Sequence, residues 1–134
     1  KNAFLGFHIP YISGGKERAY LPDYLVRIRS EAGAMANLIL EITGFNQDKE
    51  LKRWAVRERW LPAVNNARGK LDLSAWHFAE ITAIENIKPE LEAAVGRIVA
   101  DLEEDELMRD LLLIQSHTAD STWTDDDEHL FHPL

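Results

Sequence analysis

Two neighbouring apolar stretches in the first third of the chain constrain the fold most, because each carries a carboxylate where burial makes charge expensive. The first stretch, residues 23–28, has the composition of a strand. Side chains alternate between the two faces of a strand, so Asp23 is expected opposite Tyr24, Val26 and Ile28. Pro22 cannot donate to a strand ladder, which favours a strand start or a bulge at Asp23.

The second stretch, residues 38–43, is almost continuously apolar, as is typical of a strand covered on both faces. Alternation puts Glu41 on one face with Ile39 and Thr43, and Leu38 and Leu40 on the other. A buried carboxylate without a partner is unfavourable, so Glu41 requires a compensating group. A divalent metal ion is a natural candidate.

Two carboxylates that converge from neighbouring strands suit a hard cation. Mg²⁺ takes oxygen ligands at ~2.1 Å and keeps several waters, so two carboxylates and a substrate phosphate are sufficient. The sequence therefore predicts a magnesium site formed by Asp23 and Glu41, with Mn²⁺ as an alternative ion. A structural interpretation stays open, in which Asp23 is a turn residue and Glu41 is a salt-bridged strand end.

The pair Pro22-Asp23, followed by Glu41-Ile42-Thr43, resembles the PD-(D/E)xK nuclease signature. Thr43 stands where that family normally has lysine. Segments 5–11, 20–27, 38–44 and 60–65 resemble, in this order, the C-terminal endonuclease domain of type III restriction enzyme subunits. The resemblance covers roughly residues 1–82.

This resemblance implies an α/β fold with a restriction-endonuclease-like core of β-hairpin, central strand, helix and strand, followed by a C-terminal helical extension. The expected division is a core at 1–83 that lacks the family's N-terminal helix, an extension at 84–116 packed on the core, and an acidic tail at 117–134. The implied activity is Mg²⁺-dependent hydrolysis of double-stranded DNA. The implied partners are a helicase-like motor region and a modification subunit.

The resemblance also assigns roles to individual residues. Asp23 and Glu41 would hold the metal, with the Ile42 carbonyl as a further ligand. Thr43 can form hydrogen bonds but cannot supply the charge of the missing lysine. An alternative is therefore a catalytically weakened module that serves DNA contact or subunit assembly. A third possibility is an interaction domain built on the acidic extension.

The segment that follows the second stretch predicts a helix over residues 46–61, capped by Asn46. An apolar stripe at Trp60 and Val56, followed backwards at helical spacing, reaches Lys52 and Lys49. Either lysine would then approach the carboxylates, and Lys52 is the candidate substitute for the missing motif lysine.

Further expectations concern the rest of the chain. Pro62 predicts that the helix stops or kinks near residue 61. Residues 65–70 are expected to form a loop, with a strand at 75–82. A helix opens at Lys88-Pro89 with its apolar stripe at Leu91, Val95, Ile98 and Leu102. Asp105 is expected to cap a second helix containing Leu107, Leu111 and Ile114. From about residue 117 the polar composition predicts disorder.

Composition and charge limit the functional classes. The formal charge of −8 divides into 12 basic and 7 acidic residues in 1–70, and 3 basic and 16 acidic residues in 71–134. A basic first half with an acidic appendage is compatible with nucleic-acid binding. The chain has no cysteine, which excludes thiolate metal sites and suits a reducing cytoplasm. No apolar run approaches the ~18 residues of a membrane span, so no membrane partner is expected.

Overall fold

The computed structural model describes residues 1–42, 47–71 and 73–126, with side-chain detail as far as residue 118. Its strands are β1 (Ile9–Ser13), β2 (Lys16–Tyr20), β3 (Tyr24–Arg29), β4 (Met35–Ile42) and β5 (Ala75–Ile81). Its α-helices are α1 (Lys49–Trp54), α2 (Leu61–Leu71) and α3 (Ile87–Asp126), with a π-helical segment, Ala55–Trp60, between α1 and α2. Short 3₁₀ turns occupy Asn2–Phe4 and Ile84–Asn86.

Strands β1 and β2 form the predicted hairpin, paired antiparallel from Ile9 opposite Tyr20 to Ser13 opposite Lys16. Gly14 and Gly15 both have positive φ, a conformation that glycine adopts without steric cost, and they make the tight connection. The apolar and aromatic composition of residues 3–12 predicts a longer first strand, but β1 begins only at Ile9. Asn2 is buried and its side chain hydrogen-bonds to the backbone of Phe7, which holds residues 2–7 in a separate turn.

The second sheet has the order β3-β4-β5, so β4 is its central strand. Strand β3 runs antiparallel to β4, and β5 runs parallel to it. Parallel neighbours require a crossover connection, which α1, the π-helical segment and α2 provide. The fold is therefore mixed α/β, with a three-stranded mixed sheet, a two-stranded hairpin and a C-terminal helix.

Each face of β4 packs in a different apolar cluster. Ile39 packs with the hairpin and with Ala55 and Val56 of the crossover. Leu38 and Leu40 pack on the other side of the sheet against α3. Both clusters follow the alternation predicted from the sequence, and the expectation that this strand is covered on both faces is confirmed.

The crossover corrects the prediction of a loop, because residues 65–70 lie in α2. Of the two outcomes expected at Pro62, a stop or a kink, the stop does not occur, since the helical path continues. Proline cannot donate a backbone hydrogen bond, and its ring crowds the preceding turn. The π-helical segment absorbs this conflict, since the Leu61 N–H bonds to the carbonyl of Val56, five residues earlier. Asn65 then fixes α2 to β5 through two hydrogen bonds of 2.9 Å with the Trp76 backbone.

Helix α3 corrects two further predictions. It runs without interruption from Ile87 to Asp126, so Asp105 caps no second helix, and residues 117–126 are helical rather than disordered. Asp105 instead pairs with Arg68 of α2 at 3.6 Å. The predicted stripe at Leu91, Val95, Ile98 and Leu102 does pack against the sheet. Among the described residues, no helix combines the length and hydropathy of a membrane span.

Candidate functional site

Asp23 and Glu41 lie side by side where β3 begins and β4 ends. The last ladder pair is Tyr24 opposite Leu40, which brings Asp23 level with Glu41. The Ile42 N–H donates to Asp23 Oδ2 at 3.0 Å, and the backbone of Asp23 hydrogen-bonds to the Glu41 carboxylate. The Asn2 N–H also donates to the Asp23 carbonyl at 2.9 Å. These bonds hold the two carboxylates together.

Glu41 is a buried carboxylate, with only 7% of its surface exposed. Its pKa is raised, mainly because burial disfavours the charged form, and also because the Asp23 charge lies nearby. The Tyr20 hydroxyl donates to Glu41 Oε2 at 2.6 Å and acts in the opposite direction. Burial and this hydrogen bond raise the Tyr20 pKa far above its usual range, so the phenol stays a proton donor.

Lys52 is the cation that the structure brings to this pair. Its Nζ lies 5.8 Å from the ring centre of Tyr11 and 5.9 Å from that of Tyr20. Its charge contributes to lowering the pKa of Glu41. Lys49 is exposed and helps to lower the pKa of Glu80 instead. Of the two lysines named from the helical stripe, Lys52 is therefore the one placed beside Glu41.

In addition to Asp23, the carboxylate of Glu80 lies beside Glu41. Glu80 is on the neighbouring strand β5 and is paired with Glu41 in the parallel register. Glu80 receives a bidentate contact from Arg53, with Nε–Oε2 at 2.6 Å and Nη2–Oε1 at 2.7 Å. The Arg53 hydrogen bond holds the Glu80 pKa below its ordinary value. The two neighbouring carboxylates therefore differ in the direction of their pKa shifts. The pKa of Glu41 is raised by burial, whereas that of Glu80 is lowered by its bidentate guanidinium partner.

The start of α1 is tied to the hairpin by Tyr11, whose hydroxyl donates to Asp48 Oδ2 at 3.0 Å. Asp48 has a left-handed backbone, with φ of 53°, immediately before the helix begins. Together with the Arg53–Glu80 contact, this bond fixes α1 at both the hairpin and β5. Lys52 lies between these two anchors.

Several site predictions have a definite structural outcome. Asp23, Glu41 and Lys52 come together, and Ile42 is bonded to Asp23 through its N–H. Thr43 lies outside the described residues, as does the predicted cap Asn46. Sequence reasoning missed Tyr20, Arg53 and Glu80. Glu80 interrupts an apolar strand as Glu41 does, and the same burial argument applied to residues 75–82 would have identified it.

The oxygen donors at this site suit a hard cation that takes only a few ligands from the protein and the rest from water. Asp23 and Glu41 offer carboxylate oxygens, and a cation beside them would offset both the burial and the mutual repulsion that raise the Glu41 pKa. No cluster of three or more histidine, aspartate or glutamate side chains suited to a metal occurs within residues 1–42, 47–71 and 73–118. A site here would depend on two carboxylates, a backbone carbonyl and water or phosphate oxygens.

No family model, curated protein or solved structure matches the chain. The relation to restriction endonucleases therefore rests on the sequence segments described above. The local geometry of the site provides a separate line of argument.

Proposed function

We propose that this chain is a metal-dependent DNA endonuclease domain with a restriction-endonuclease-like fold, which belongs to a larger restriction enzyme subunit. The observation that carries the proposal is the convergence of Asp23 and Glu41 at the end of the central strand, with Lys52 in their electrostatic field. An acidic pair and a lysine are groups that metal-dependent hydrolysis of a phosphodiester can use. The order hairpin, central strand, helix, strand is compatible with this fold.

Each residue has a distinct role in the proposed reaction. Asp23 and Glu41 would hold Mg²⁺ or Mn²⁺, with the Ile42 carbonyl as a further ligand. A divalent ion held there would supply Lewis-acid chemistry, polarisation of the phosphate and a lower pKa of the attacking water. Lys52 orients that water and offsets the negative charge that develops on the phosphate, the task of the lysine that Thr43 replaces.

Tyr20 and the Arg53–Glu80 pair position these groups. The Tyr20 hydroxyl occupies one oxygen of Glu41 and so fixes the orientation of the carboxylate toward Asp23. Arg53 is adjacent to Lys52 in sequence, and its bidentate contact with Glu80 sets the rotation of α1 on the sheet. The basic composition of residues 1–70 favours contact with DNA phosphates.

A second candidate is a non-catalytic DNA-contacting or assembly module of the same fold. The hydrogen bonds of Glu41 favour it, because Tyr20 and the Asp23 backbone already satisfy part of this carboxylate without a metal. Under that account the Asp23–Glu41 pair fastens the start of β3 to the end of β4. The two candidates differ in whether the pair binds a divalent ion.

Cleavage of supercoiled plasmid DNA by the full chain, with Mg²⁺, Mn²⁺ or EDTA, tests the catalytic proposal. We expect metal-dependent nicking that Asp23→Asn abolishes and Lys52→Ala reduces by at least about a hundredfold, the usual scale for a lost transition-state contact. Lys49→Ala, a neighbouring lysine on the same helix, is the matched control and should retain cleavage. Absence of nicking in the folded wild type would favour the non-catalytic module.

A further inference from the structure

Helix α3 carries a large exposed apolar surface beyond its contact with the sheet. Six large side chains within eight residues are each between 46% and 62% exposed. They are Leu107, Met108, Leu111, Leu112, Leu113 and Ile114. The six are spread around the helix, but Leu107, Leu111 and Ile114 share one side of it. Soluble monomers rarely leave an apolar row of this kind exposed, so this side of the helix is expected to be covered in solution.

Part of this surface has the spacing of a coiled-coil seam. Leu107, Leu111 and Ile114 are separated by four and then three residues, the a/d pattern of helices that pair along their length. Leu107 follows Ile98 by nine residues, about two and a half turns, so the seam lies on the side opposite Ile98. Ile98 packs against the sheet, and a second helix can therefore lie along the seam without displacing the fold.

The charges beside the seam select the direction of the second helix. Glu104 lies in the seam one turn before Leu107, and a parallel second copy would place it against its own counterpart. An antiparallel copy with Leu111 opposite Ile114 moves Glu104 level with position 121, which is uncharged in the sequence. The same arrangement brings Asp110 beside His117 of the second copy, so like charges are kept apart.

We propose that residues 107–118 of α3 form an antiparallel two-helix interface between two copies of this chain. Leu111 and Ile114 pack at its centre, and Leu107 pairs with Thr118 of the second copy. Ala100, seven residues before Leu107, is exposed on the same side and leaves room for the end of the second helix, which reaches residue 126. The interface is independent of the nuclease proposal, because it lies on the helix face that points away from the sheet.

Sedimentation equilibrium of the full chain over a concentration series tests the interface. We expect a reversible dimer whose dissociation constant rises at least about tenfold in Leu111→Glu, which removes apolar burial and places two charges at the centre. Leu113→Glu is the matched control, since Leu113 follows Ile98 by about four turns and lies on the opposite side of α3 from the seam. Its dimer should be little changed. A monomer at every concentration, or an equal loss in both variants, would overturn the proposal.

Disulfide trapping tests the antiparallel order, and the cysteine-free chain makes it direct. An equimolar mixture of Leu107→Cys and Thr118→Cys chains is oxidised, and the linked pairs are identified by mass spectrometry. Both positions are exposed, so circular dichroism should report an unchanged fold. We expect 107–118 pairs to exceed the two homotypic products. A predominance of 107–107 and 118–118 pairs would show parallel packing and contradict the arrangement.

Discussion

The two faces of β4 differ in chemistry although they belong to one strand. On the face toward α3, Leu38 and Leu40 pack among aliphatic side chains. On the face toward the hairpin, Ile39 is followed by Glu41, which is buried beneath Tyr20 and close to the charges of Asp23 and Lys52. The first face has only a packing role in this account.

The difference shows where the fold buries a charged group at a cost in stability. Apolar side chains at every inward position would pack without the desolvation that Glu41 incurs. Retaining a carboxylate there costs stability, and under the proposed function the same carboxylate is a metal ligand. This contrast gives three stability predictions, which run from the largest expected effect to the smallest.

Truncation of a core side chain on either face of β4 should have the largest effect on the free energy of unfolding. Leu38→Ala and Ile39→Ala each remove a fully buried side chain, and each should lower the free energy of unfolding by about 2–5 kcal/mol in urea denaturation. Only Ile39 shares a face with Glu41, so only Ile39→Ala should also weaken Mn²⁺ binding. Equal loss of Mn²⁺ affinity in both variants would mean that the two faces are not functionally distinct.

Loss of the contact between Arg53 and Glu80 should have an intermediate effect on the free energy of unfolding. Arg53→Ala leaves the nearly buried Glu80 without its bidentate partner and should cost about 1–3 kcal/mol at pH 7. The folded-state pKa of Glu80 is lowered, so this contribution exists above the ordinary value of 4.5 and is lost as pH falls through the folded-state pKa. The difference between wild type and variant should therefore shrink in acid.

Arg59→Ala is the control, because Arg59 lies over the exposed ring of Trp54 on the same helical path. Its stability should stay close to that of wild type. A difference between wild type and Arg53→Ala that does not decrease as the pH is lowered, while both proteins stay folded, would indicate that Arg53 acts through packing rather than through the Glu80 charge.

The sequence predicted the site better than it predicted the helices. Alternation in residues 23–28 and 38–42 was sufficient to place Asp23 and Glu41 together, because the side-chain period of a strand is fixed. The helix does not stop at Pro62, because a π-helical segment precedes the proline, and local propensity does not encode that segment. Asp105 also resembled a helix cap. Its partner Arg68 is distant in the sequence, so the local pattern around Asp105 does not predict this ion pair.

Neutralisation of Glu41 or of Glu80 should change the free energy of unfolding least. The two changes should have opposite signs, because the pKa values of the two residues are shifted in opposite directions. The folded-state pKa of Glu41 is raised by burial, so its stabilising contribution exists below the ordinary value and is lost as pH rises. Glu41→Gln should therefore raise the free energy of unfolding at pH 8 and change it little at pH 4. Glu80→Gln should have the opposite sign at pH 8, since the pKa of Glu80 is lowered. The same sign in both variants would contradict the assigned environments.

Isothermal titration with Mn²⁺ tests the central claim most directly, because it measures the Asp23–Glu41 pair without requiring activity. The wild type should bind one ion, and Asp23→Asn and Glu41→Gln should each lower its affinity by at least about tenfold. Asp48→Asn changes a nearby carboxylate that is bonded to Tyr11, and it serves as the control with wild-type affinity. Equal Mn²⁺ affinity in wild type, Asp23→Asn and Glu41→Gln would show that the pair holds no metal and only fastens β3 to β4.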